Sequence, residues 1–198
     1  MIAARPYAPL AVTLLTAVLL CGVYGDASPL ERHAGLIVFP SGIASLEKLR
    51  ALPGYRLTVT AAGHHGPLQL YVPYAVYRLD AADVNNDGST DILLGVIKRT
   101  HFDPELKRRL FFYRIGANGL TPLWLGSRVC QDLVDFRPVC DGQATHVLTI
   151  EKDKQGMYCN GLYVWHDFGL ELITYSNNGA SYDTALAFFD REGDPRRM

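Results

Sequence analysis

The chain has little cysteine, no excess of charge of either sign and none of the short signatures of catalysis. Four cysteines in 198 residues are too few for a disulfide scaffold, and no Cys-x-x-Cys or Cys/His spacing suggests zinc. Lys and Arg number 19 against 20 Asp and Glu, a net charge of −1, which argues against a protein held to nucleic acid or anionic lipid by bulk charge. No Gly-x-Ser-x-Gly elbow, His-Glu-x-x-His motif, Walker loop or dinucleotide glycine pattern occurs, so no enzyme is expected. Mean hydropathy near zero excludes a multi-spanning membrane protein, and 18 Gly with 11 Pro exclude a collagen-like chain. A 48% hydrophobic share is that of a folded globular chain.

Arg5 is the only charge before an apolar run from Leu10 to Leu20. A short positive region followed by an apolar stretch too short to span a bilayer comfortably is the layout of a secretory leader. Cys21 ends the run, and Val18-Leu19-Leu20-Cys21 resembles a degenerate lipobox of bacterial lipoproteins, which implies lipidation of Cys21. Cleavage near Gly25 or Ala27 is the competing expectation. Either way the chain is expected to be exported to the periplasm, outer membrane or cell surface, with membrane contact only through a lipid anchor. Cys130, Cys140 and Cys159 would then lie in an oxidising compartment, and their spacing does not choose a disulfide pair.

From Tyr71 onward, short aromatic and β-branched runs alternate with Gly, Asn and Asp clusters, the pattern of strands and turns. It predicts strands over Ala75–Ala81, Asp91–Lys98, Arg109–Ile115 and Thr121–Ser127, then over Asp132–Pro138, Thr145–Lys152, Gly161–His166 and Leu170–Tyr175. The two sets overlay at an offset of about 50 residues, the length of one four-stranded propeller blade. Upstream, Gly35–Phe39, Tyr55–Ala61 and Pro67–Tyr74 read as strands, with a hairpin at Gly63-His64-His65-Gly66. Ile43, Leu46 and Leu49 predict a short helix over Ser45–Leu52, ended by Pro53-Gly54. The fold class is all-β: short antiparallel four-stranded units resembling about two blades, with an N-terminal β-rich segment. The expected divisions are a leader (1–27), a β-rich segment or partial blade (28–75), a first unit (76–127), a second, degenerate unit (128–178), and a C-terminal strand and fraying tail (179–198).

One segment carries chemistry: Asp83-Val84-Asn85-Asn86-Asp87-Gly88-Ser89-Thr90-Asp91. Oxygen ligands at positions one, three, five and nine, with glycine at six, match the start of an EF-hand-type calcium loop. Asp83, Asn85 and Asp87 converge on a hard cation, Gly88 permits the bend, the Ser89 carbonyl adds an oxygen and Asp91 closes the ring. Leu94 stands where an EF-hand has its bidentate Glu, and strand-like residues follow in place of a helix. A strand, this loop and then Asp91-Ile92-Leu93-Leu94-Gly95 resemble the calcium loop of FG-GAP and VCBS repeats, the blades of integrin-type β-propellers. That resemblance implies a structural Ca2+ and a non-catalytic binding or scaffold role at the cell envelope. The loop of the second unit keeps only Asp141 and Gly142, so one metal site is expected.

Other features read as structural. His64 and His65 sit in a glycine-flanked turn, and Asp132, Asp135 and Asp141 read as solvent-facing strand and turn carboxylates. Lys98–His101 and Lys107–Arg109 flank an insertion whose Asp103 and Glu105 interrupt the basic charge. Phe111, Phe112, Tyr113, Trp124, Tyr163 and Trp165 read as core by alternation, although aromatics at a blade rim also stack on carbohydrate. A closed propeller needs at least four blades, so open sheet edges are expected to meet a homo-oligomer, another protein or the N-terminal segment. The rival functions are a carbohydrate-active or hydrolytic accessory enzyme with a calcium-organised site, and a structural subunit of an envelope assembly.

Overall fold

The computed structural model describes residues 35–101, 103–126 and 129–192; the leader and Cys21 lie outside them. Twelve strands form three four-stranded antiparallel meanders. Sheet A holds β1 (Leu36–Phe39), β2 (Gly42–Lys48), β3 (Tyr55–Ala61) and β4 (Leu68–Val72). Sheet B holds β5 (Ala75–Ala82), β6 (Asp91–Lys98), β7 (Lys107–Gly116) and β8 (Gly119–Leu125). Sheet C holds β9 (Asp132–Cys140), β10 (Thr145–Lys152), β11 (Tyr158–His166) and β12 (Gly169–Ala180). A helix, α1 (Tyr182–Glu192), follows. The fold is thus mostly β, with open sheets as expected, and the N-terminal segment is a complete four-stranded sheet where a partial blade was one expectation.

Period-two alternation sets the stacking order A–B–C. In β6, Ile92, Leu94 and Val96 face sheet A and pack with Leu57, Val59 and Val72. Leu93, on the opposite face, joins Phe112, Phe136, Val147 and Tyr163 between sheets B and C. Every β6 residue from Asp91 to Val96 is buried, as a strand covered on both faces must be. The outer face of sheet C is covered by α1, where Leu148 and Ile150 meet Ala185 and Phe189. Sheet A's outer face has no such cover among the described residues: Leu36, Val38 and Ile43 are 57%, 75% and 45% exposed.

The helix expected over Ser45–Leu52 is instead the end of β2 and a turn. Ala44 and Leu46 point into the core while Ile43 points out, a period of two that the larger side chains at 43, 46 and 49 disguised. The Leu49 N–H donates to the Gly54 carbonyl at 3.1 Å, so Pro53-Gly54 belongs to a hairpin turn. Where a C-terminal strand and fraying tail were expected over 179–198, β12 ends at Ala180 and a helix, α1, follows from Tyr182 to Glu192. Ser181 caps it, its Oγ accepting from the Thr184 N–H at 3.3 Å, with Asp183 in the first turn and Arg191 in the last matching the helix dipole.

Connectivity fixes the two ends of the stack. Only Pro73 and Tyr74 separate β4 from β5, so the β2–β3 and β6–β7 loops lie at the same end. Lys107 at the start of β7 reaches Asp132 at the start of β9 (Nζ to Oδ1 2.9 Å), which puts the β10–β11 loop there too. At the other end the Thr145 N–H donates to Asn86 Oδ1 at 2.8 Å, joining the β5–β6 and β9–β10 loops, and His64 Nε2 lies 3.1 Å from the Gly116 carbonyl. No helix among the described residues is long and apolar enough to cross a membrane.

Candidate metal loop

Residues 83–90 connect β5 to β6, and Val84 anchors them: its side chain is fully buried in the B–C core. The flanking side chains of Asp83 and Asn85 are left on the loop side. Asn86 at φ 56° and Gly88 at φ 85° supply the left-handed turns that curl the loop, a conformation glycine and asparagine adopt most readily. Asp83 accepts from the N–H of Asp87 on Oδ1 (2.9 Å) and from that of Gly88 on Oδ2 (2.8 Å). Asp87 Oδ1 accepts from the Ser89 N–H (2.9 Å), while Oδ2 accepts from Asn85 Nδ2 (3.0 Å) and Arg114 Nη2 (2.9 Å). The Asn85 side-chain bond, with help from Ser89 and Arg114, holds the Asp87 carboxyl below the usual range.

Asp91 differs from these. Its side chain is 0% exposed, and neither oxygen has a hydrogen-bond partner, although the Val84 amide favours its ionised form. Burial first, and the Asp87 charge second, push its carboxyl up to about 7 from 3.8. A buried carboxylate with two orphaned oxygens is costly unless a cation or a proton compensates it.

Among the described residues, no three His, Cys, Asp or Glu side chains converge closely enough to hold a metal ion. Asp83, Asn85, Asp87 and Asp91 share one loop, but Asp83 and Asp87 are turned toward backbone N–H groups. Each carboxylate oxygen has two acceptor sites, so Asp83 can keep its N–H bonds while facing a cation. Asp87 would have to release Asn85 or Arg114. Ser89 is exposed, its N–H already committed to Asp87. Arg114, which alternation alone does not single out, pairs directly opposite Asp91 in the β6–β7 register and is the counter-charge of this loop.

The remaining candidates are not brought together. Asp132 binds Lys107, Asp135 binds Arg78 and Asp141 caps its own turn through the N–H groups of Gln143 and Ala144. Arg109 is fully buried against Asp103 at 2.9 Å, and Phe112 packs between Trp124 and Trp165 at centroid distances of 5.3 and 6.1 Å. Cys130, Cys140 and Cys159 are all free thiols, and burial pushes that of Cys159 up to about 11.

The most buried polar cluster was not foreseen. Glu151, 0% exposed, has its carboxylate ringed by four donors. Thr149 Oγ1 and Tyr163 Oη each lie 2.7 Å from Oε1, and the Gln131 N–H and Tyr175 Oη lie 2.8 and 2.9 Å from Oε2. Burial, then the Glu151 charge, raises the Tyr163 phenol far above its usual range, keeping it a donor. A Cβ on Gly161 would stand 2.7 Å from Glu151 Oε1, so glycine there makes room for the carboxylate. Beside α1, a cleft of about 720 Å³ opens on sheet C, with Leu148, Leu162 and Phe188 as its apolar floor and His146, Asp141 and Arg191 at its rim.

No protein-family model matches the chain, and neither a curated protein nor a solved structure matches it significantly. The likeness to FG-GAP and VCBS repeats rests on the residues of the loop and the strands beside it.

Proposed function

We propose that the chain is an exported, non-catalytic binding or scaffold protein of the cell envelope, built from blade-like units resembling FG-GAP repeats and stabilised by one Ca2+ on Asp83, Asn85, Asp87, the Ser89 carbonyl and Asp91. The observation that carries the calcium reading is the orphaned, fully buried carboxylate of Asp91 at the ninth position of the loop. A divalent ion supplies the partner it lacks and offsets the charge it shares with Asp87 and Asp83. The saturated ring of donors around Glu151 supports a structural use of that acid over proton transfer.

Calcium at a hundred times its dissociation constant is expected to stabilise the protein by about 2.7 kcal/mol, a rise in Tm of roughly 5–10 °C that EDTA reverses. Asp91→Asn removes this gain and, in EDTA at pH 8, melts higher than the wild type. The sign follows from linkage. A carboxyl raised in the folded state favours folding below its unfolded value near 4 and loses that contribution as pH rises through about 7. Metal-free wild-type protein is therefore expected to lose stability across that window while the Asn variant does not. A melt indifferent to both calcium and EDTA, with no calorimetric heat of calcium binding, sinks the site.

The bare outer face of sheet A, with exposed Leu36, Val38 and Ile43, favours a second reading, a structural subunit of an envelope assembly. Light scattering separates the two: that reading expects the full chain to associate and the substitutions Val38→Lys and Ile43→Lys to return it to a monomer.

A further inference from the structure

The three loops at the end opposite the calcium loop share a composition. Each second strand ends in lysine: Lys48 on β2, Lys98 on β6 and Lys152 on β10. The loops that follow expose Arg50, Arg99 and Lys154, and each also exposes one large apolar side chain: Leu52 at 58%, Leu106 at 61% and Met157 at 41%. Of the carboxylates at this end, Asp183, exposed in the first turn of α1 next to the end of β12, has no basic partner among the described residues; the others are engaged. Glu47 bonds Arg56, Asp103 bonds Arg109, Glu105 and Asp132 share Lys107, Asp153 caps its own loop and Glu151 is buried. Lys48, Arg50, Arg99 and Lys154 have no carboxylate partner among the described residues. Asp83, Asp87, Asp91, Asp141, Asp167 and Glu171 gather at the other end.

We infer that this end of the stack is a docking face for an anionic lipid surface, with the basic side chains meeting headgroup phosphates and Leu52, Leu106 and Met157 entering the interfacial layer. Charge complementarity selects an anionic partner, and the apolar residues select a lipid over an acidic polymer. A polymer offers no apolar layer in which all three loops can be buried at once. Three loops held at one end by rigid sheets form a preorganised platform, so little ordering cost opposes contact. The inference stands apart from the calcium site, and the failure of either leaves the other intact.

The test is binding of the full chain to phosphatidylcholine vesicles with and without phosphatidylserine at low salt. The apolar run Leu10–Leu20 carries no charge and only Arg5 precedes it, so the increment added by phosphatidylserine reports the basic end. That increment is expected to fall about fivefold for each basic residue neutralised. Combining Lys48→Gln, Arg50→Gln, Arg99→Gln and Lys154→Gln should cost roughly two to three orders of magnitude. Leu52→Ser, Leu106→Ser and Met157→Ser should weaken vesicle binding while leaving retention on an acidic polysaccharide unchanged. All seven side chains are exposed, so circular dichroism melts should be unaffected, and single variants serve if a combination fails to fold. Equal binding to both vesicle types, an increment that survives the fourfold substitution, or retention on polysaccharide with no vesicle increment would each overturn the inference.

Discussion

Glu151→Ala is expected to cost the fold about 3–5 kcal/mol, lowering Tm by roughly 10 °C or more. The substitution does more than delete a charge. It strands two phenols and a backbone N–H that now converge on one carboxylate, while the Thr149 hydroxyl keeps the Gly161 carbonyl as an acceptor at 3.1 Å, and buried donors without acceptors carry their full desolvation cost. The three belong to β11, β12 and the segment entering β9, and the carboxylate itself to β10, so the loss reaches all of sheet C. Glu151→Gln keeps one acceptor oxygen but turns an amide toward two donors, and should cost about half as much. Urea titration of the three proteins decides the matter. An alanine variant within about 1 kcal/mol of wild type would show that water can replace the carboxylate.

Phe189→Ala should be almost as damaging, at about 3–5 kcal/mol, for a different reason. The ring is 2% exposed and is the main apolar contact through which α1 seals sheet C. Arg137 lies over it at 5.0 Å from the centroid and donates to the Phe189 carbonyl at 3.0 Å. Asn160 Nδ2 holds the previous turn through the Ala185 carbonyl at 3.0 Å. An 11-residue helix is too short to persist alone in water, so once its anchor is lost it should detach. Hydrogen exchange of the α1 amides would report this directly, and protection equal to that of wild type would refute it.

The strands were legible because alternation and turn chemistry agree in most of the chain. Asp91–Lys98, Thr145–Lys152 and Tyr55–Ala61 are observed with the limits read from sequence. Reading failed where side-chain size misled. The larger Ile43, Leu46 and Leu49 imitated a helical spacing, while small Ala44 is the residue that fills the core. It failed again at α1, where a strand and tail were read over 179–198: an 11-residue helix owes its stability to burying Ala185 and Phe189 on sheet C, which no local pattern shows. The Asp and Asn spacing of the 83–91 loop could be read residue by residue, but the burial of Asp91 depends on sheet stacking that no local pattern encodes. Glu151 was hidden for the same reason: it stands next to Lys152 at a strand end, and apart from Thr149 on its own strand its donors come from three other segments. Net charge was also blind to arrangement, since near-neutrality concealed acid gathered at one end and unpaired base at the other.

The helix laid over sheet C makes the two ends of the A–B–C succession unequal. Nearest-neighbour contacts add along such an array as they do in a one-dimensional chain of coupled units. Among the described residues, sheet B has a partner on each face, sheet C has sheet B and α1, and sheet A has only sheet B. Opening should therefore run inward from β1–β4 as a fraying front, with the β5–β6 loop and the Glu151 ring lying in the last parts to melt. Among the described residues, then, one end of the array presents the apolar side chains of sheet A and the other is closed by α1.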